Sequence, residues 1–83
     1  MGKGIVWTDQ AKADLRAIEK LTALQILKTL ARYCKTGYGA TKQLTDIAPP
    51  LFRLRAQDHR VLYRDHGGHI VISRVLDRKE AYR

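Results

Sequence analysis

The chain has 83 residues, 45 % of them hydrophobic, with a formal net charge of +8 and a pI near 10.1. That length suits one small domain over residues 1–83, near the lower limit for a core that stabilises itself, and the apolar fraction argues against disorder. No apolar run is long enough to span a bilayer, "MGKGIVWTDQ" turns polar too soon for a signal peptide, and the single Cys34 cannot close an internal disulfide, so a cytoplasmic setting is expected.

The first element in chain order is "GIVW", a short β-prone segment. Thr8 follows as an N-cap, with Asp9 at the positive end of the helix dipole. Ala11, Leu15 and Ile18 fall at i, i+4 and i+7, which predicts a helix to about Lys20. Thr22 is the expected cap of a second helix, in which Leu27, Leu30, Ala31 and Cys34 recur at helical spacing, and Gly37 and Gly39 end it. Pro49 and Pro50 mark the entry to a strand "LFRLR" (51–55), followed by "RVLYR" (60–64) and the β-branched run "HIVISRVL" (69–76). "DHGGH" between the last two is a tight-turn signal, because glycine accepts positive φ. The expected fold class is α+β in the order β-α-α-β-β-β: a mostly antiparallel sheet, a two-helix hairpin on one face, and a short tail or helical turn "DRKEAYR".

A strongly basic chain implies a polyanionic partner, and the cations are divided by type. Residues 1–51 carry six lysines and two arginines, whereas residues 52–83 carry seven arginines and one lysine. Lysine suits a solvated helix face, and Lys12, Lys20, Lys28 and Lys35 are read that way; the planar arginine fork suits bidentate contact with phosphate or carboxylate. Period two then places the arginines. If Phe52, Leu54, Val61 and Tyr63 face the helices, Arg53, Arg55, Arg60 and Arg64 share the open, exposed face of the sheet with Leu62. A rigid sheet presenting fixed cations is a platform for phosphates.

Other residues carry plainer readings. Cys34 lies on an apolar helical stripe, and Trp7 and Phe52 read as core. His66 and His69 flank the Gly-Gly turn without the cysteines of a metal cluster, and Tyr33 and Tyr38 are candidates for the border of an interface.

Taken together, "WTDQAKADLRAI", "KQL", "LFRLRAQDHRVLYR" and "VLDRKEAYR" resemble the RelE/ParE superfamily of toxins from bacterial type II toxin–antitoxin pairs, over nearly the whole chain. RelE-like members are ribosome-dependent endoribonucleases that cut mRNA without metal or other cofactor, so the resemblance implies a cognate antitoxin, the ribosome and mRNA as partners, with operator DNA reached through the antitoxin complex. It also implies Arg60, Arg78 and Tyr82 as catalytic residues and Arg53, Arg55, Arg64 and Lys42 as RNA or phosphate contacts. Arg60 and Arg78 would stabilise charge on the phosphorane, and Tyr82 either removes the 2′-OH proton or stacks on a base. The chain departs from the pattern at Leu51 and Asp77, where related enzymes carry basic residues, and at His59, where an aromatic is common. ParE-like relatives instead poison DNA gyrase, and a third reading is a degenerate toxin-like binding protein; the terminal arginine–tyrosine pair favours the nuclease branch.

Overall fold

Thr8 starts the first helix as its sequence position requires: its side-chain oxygen accepts the Ala11 N–H at 3.2 Å. The same hydroxyl donates to the Ile72 carbonyl at 2.8 Å, so the cap also ties the helix to a distant strand. The computed structural model describes residues 2–77. Its elements are β1 (Gly4–Trp7), α1 (Asp9–Arg16), α2 (Lys20–Thr36), β2 (Thr41–Thr45), β3 (Leu51–Ala56), β4 (His59–Asp65) and β5 (His69–Asp77).

They form one five-stranded sheet in the order β1-β5-β4-β3-β2. β2 to β5 make an antiparallel meander, and β1 adds to the far edge parallel to β5. The two-helix hairpin and α+β class follow the sequence reading, with three differences. β2 is an additional strand, an exposed edge paired with β3. α1 stops at Arg16 rather than Lys20, because Ala17 donates to Asp14 as well as Ala13, and Ile18 to Leu15, in a tightened last turn. The cap of α2 is Glu19, not Thr22: its two carboxylate oxygens accept the N–H groups of Leu21 and Thr22, each at 3.1 Å. Thr22 adds its own hydroxyl to the same carboxylate.

The core lies between the helices and one sheet face. Ala11, Ile26, Leu30 and Cys34 meet Leu54, Val61, Tyr63, Ile70, Ile72 and Val75. Phe52 stacks on Tyr63 with centroids 5.6 Å apart, and the Tyr63 hydroxyl donates to that of Tyr33 at 2.6 Å, which satisfies the phenol that burial would otherwise strand. Trp7 packs at the margin, partly buried. A bulge keeps this face apolar along β5: Leu62 pairs with Arg74 but Tyr63 with Ile72, so Ser73 is skipped and Val75 returns to the core opposite Val61. Among the described residues no helix is long and apolar enough to cross a membrane.

Candidate nucleic-acid interface

Strand register decides which cations converge. Leu54 pairs with Thr41 and Val61 on the core face, so the alternate rows belong to the other face. One row runs Lys42, Arg53, Leu62; the next, Arg55, Arg60, Leu76; a third, Leu51, Arg64, Val71. Lys42, Arg53, Arg55, Arg60 and Arg64 therefore share the sheet face turned away from α1 and α2, the convergence that alternation predicts.

Their environments differ, and one expectation is corrected. Arg60 was expected exposed, yet it is 3 % accessible, the one buried charged side chain among the described residues. Its Nη1 donates to the His59 carbonyl at 3.2 Å. Alternation reports which face a residue is on, not what covers that face. Arg55 is exposed, and Arg53 and Arg64 are half-buried. The Arg64 Nη1 donates to the Pro49 carbonyl at 2.8 Å, which anchors it to the segment entering β3.

Two pairs of like charge stand directly opposite each other: Arg55 faces Arg60, and Lys42 faces Arg53. Such pairs cost folding stability, and an anion on the face relieves them. The other implied catalytic residues, Arg78 and Tyr82, lie outside the described residues.

His59 pairs with Ala56 and Asp77, opposite in face to Arg60. Its Nδ1 is buried with no hydrogen-bond partner among the described residues, beside a groove of about 360 Å³ that also holds Asp14, Glu19 and Asp77. His66 and His69 stack at 4.8 Å across the turn, where Gly67 takes φ +91° and its N–H donates to Asp65, so they act as turn residues. Among the described residues no group of three or more His, Cys, Asp or Glu is placed to hold a metal ion. Burial pushes the Cys34 thiol up from its ordinary range, consistent with an inert core thiol.

One structural tie had no local sequence signal. Asp14 on α1 accepts the Arg74 Nε at 2.8 Å and the Val75 N–H at 2.9 Å. Burial opposes its ionisation, but the bonds from Arg74, Val75 and Gln10 prevail and hold its carboxyl below the ordinary value.

The helix hairpin on a five-stranded, mostly antiparallel sheet is the fold that the sequence resemblance implies. Residues 5–82 match the family of ParE toxins of type II toxin–antitoxin systems, parDE. The chain belongs to that family, within the RelE/ParE superfamily, and is a toxin of a type II toxin–antitoxin system. A comparison with curated proteins found no match. Among solved structures, the chain is similar to one in the toxin–antitoxin complex RelBE2 from Mycobacterium tuberculosis, with TM-score 0.76 and 23 % identity over 94 % of this chain and 100 % of that one. It is similar to the YoeB dimer from Staphylococcus aureus, with TM-score 0.70 and 20 % identity over 92 % of this chain and 97 % of that one. A third likeness is to the chromosomal ParDE system of P. aeruginosa, with TM-score 0.63 and 19 % identity over 90 % of this chain and 95 % of that one. At these identities the likenesses establish the fold.

Proposed function

We propose that the toxin is a metal-independent, ribosome-dependent mRNA endoribonuclease, held silent by a cognate antitoxin. The observation that carries this reading is the cationic face, with exposed Arg55 directly opposite Arg60 and Lys42 opposite Arg53. Guanidinium groups held by a sheet have their positions set before substrate arrives, so they stabilise a developing phosphorane charge without reorganising.

In this mechanism Arg60 and Arg78 stabilise the dianionic phosphorane, while Arg53, Arg55 and Lys42 hold neighbouring phosphates. Arg64, anchored to the Pro49 carbonyl, serves more to brace the face than to reach for RNA. The rows of the described face carry guanidinium, ammonium and aliphatic side chains, so proton removal from the 2′-OH falls to Tyr82 or to a group of the ribosome. His59 lies on the opposite face and takes no part in this step. The antitoxin is expected to be acidic or amphipathic and to fold upon the basic toxin.

The test is to induce the toxin in bacteria and map mRNA 5′ ends, with a gyrase supercoiling assay in parallel. New codon-positioned ends with unchanged supercoiling are expected. The second reading, inhibition of DNA gyrase, is favoured by the name of the matching family. Inhibited supercoiling without new mRNA ends would establish it instead.

A further inference from the structure

Outside the cationic sheet face, two surface grooves of opposite character stand out. The smaller carries Asp14, Glu19 and Asp77, but two of these carboxylates are committed to the fold, Asp14 to Arg74 and Val75, and Glu19 to the start of α2. The larger, about 690 Å³, opens where the end of α2 and residues 37–40 meet the end of β3, and its lining includes Thr29, Arg32, Tyr38, Arg55 and Gln57. No carboxylate among the described residues lines it, and none pairs with Arg32 or Arg55.

The larger groove is built around an exposed aromatic ring. Arg32 lies over Tyr38 with its guanidinium carbon 5.3 Å from the ring centroid. Tyr38 is nevertheless 71 % exposed, so most of the ring remains open to a second stack. The backbone on both sides is set: Gly37 takes φ +77°, the Tyr38 N–H donates to the Thr36 hydroxyl at 3.0 Å, and a Cβ on Gly39 would come within 2.9 Å of buried Leu54. The guanidinium beside the ring carries five N–H donors in a fork that matches phosphate. Gln57 lines the groove in the left-handed region, at φ 58°, a conformation that a non-glycine residue adopts at some cost. Arg55 belongs to this groove and also stands opposite Arg60, so the groove runs onto the cationic face.

We infer that this groove is a subsite for single-stranded RNA, an inference that rests on the nuclease reading for its biological purpose. One nucleobase stacks on Tyr38, the adjoining phosphates pair with Arg32 and Arg55, and the strand continues across β3 toward Arg60. Stacking needs an unpaired base, which distinguishes single strands from duplex. An acidic protein segment would use the two guanidinium groups but has no comparable use for an exposed ring, so RNA is the better fit.

The test uses the purified full-length chain and a short fluorescein-labelled 2′-O-methyl RNA, which binds but cannot be cut. Fluorescence anisotropy is expected to show Tyr38→Ala and Arg32→Gln each weakening binding about tenfold. Tyr38→Phe should stay within about twofold of the parent, because it keeps the ring. Binding of a duplex of the same length should be unchanged by Tyr38→Ala. Single-strand binding that is insensitive to Tyr38→Ala, or weakened equally for duplex and single strand, overturns the subsite. So does loss of affinity for an acidic antitoxin peptide with RNA affinity intact, which would make the groove a protein dock. Weakened RNA binding in the groove variants, together with a parent that leaves mRNA uncut in cells, would keep the subsite and overturn the nuclease reading.

Discussion

Replacing Asp14 tests whether the α1–β5 tie holds the end of the strand that leads into the arginine–tyrosine tail. In Asp14→Ala the Val75 N–H, now 2.9 Å from a carboxylate oxygen, loses its acceptor in a partly buried position. Stranding such a donor costs about 1–3 kcal/mol. The Arg74 pair adds little, since its side chain is 42 % exposed while that of Asp14 is 12 % exposed; a half-solvated pair is worth about 0.2–1 kcal/mol. The sum, about 2 kcal/mol, corresponds to a fall in Tm of roughly 8–16 °C for a domain of this size. Asp14→Asn keeps an oxygen for Val75 and should lose about half as much. The pH dependence follows from sign. The folded carboxyl titrates below its ordinary value of 3.8. A group whose pKa is lowered on folding contributes stability above its unfolded pKa and loses it as pH falls through the folded one. The gap between parent and Asp14→Asn, read by circular-dichroism melts, should be full at pH 7 and close progressively below about pH 4. A Tm loss in Asp14→Ala under about 3 °C, or a gap that persists in acid, would refute the reasoning.

The burial of Arg60 means that Arg60→Ala should lower stability by about 1–3 kcal/mol in urea melts as well as abolish mRNA cleavage, so Arg60→Lys, which keeps the charge and stem but loses the fork, is the informative variant. It should stay folded and cut roughly a hundredfold more slowly. Arg53→Gln removes a charge facing Lys42 and should raise stability by about 0.2–1 kcal/mol while weakening RNA binding, read by a melt and by anisotropy on one preparation. Tyr82→Phe should be as damaging to cleavage as Tyr82→Ala if the hydroxyl is the base, and nearly harmless if the ring stacks; primer-extension mapping of cut mRNA distinguishes them. Burial and then the Tyr33 bond push the Tyr63 phenol well above its ordinary value of 10.0. Its raised pKa contributes stability below about pH 10 that is lost as pH rises further, so Tyr63→Phe should flatten the alkaline loss of Tm.

Features encoded within a few residues were legible in the sequence. The Thr8 cap, the helical stripe through Leu30 and Cys34, and the alternation of β3 and β4 each state their own geometry, and together they placed the arginines on one face. β2 was not legible because "TKQLT" is an edge strand exposed along most of its length, so no apolar alternation marks it. Thr22 and Glu19 compete for the same cap, and the structure uses both, with the carboxylate as acceptor. The skip at Ser73 is a matter of pairing between two strands, and the Asp14 tie joins residues far apart in the chain. Arg60's burial is likewise non-local: its strand sets its face, but only the packing around it sets its exposure.

The cost of the cationic face is borne in folding rather than at the moment of binding. Arg55 opposite Arg60 and Lys42 opposite Arg53 set like charges side by side on neighbouring strands, an arrangement that costs folding stability. The core of Tyr63, Leu54, Val61 and the two buried isoleucines of β5 offsets that penalty through the opposite face of the same strands. Register therefore couples the two: the pairing that aligns Val61 with Leu54 is the pairing that sets Arg60 beside Arg55. A slip by one residue would turn the arginines into the core, so the apolar face enforces the geometry of the charged one. An RNA or an acidic antitoxin meets cations already in place and gains by neutralising them, which is why replacing the exposed-row charge of Arg53 should stabilise the fold and weaken the function together.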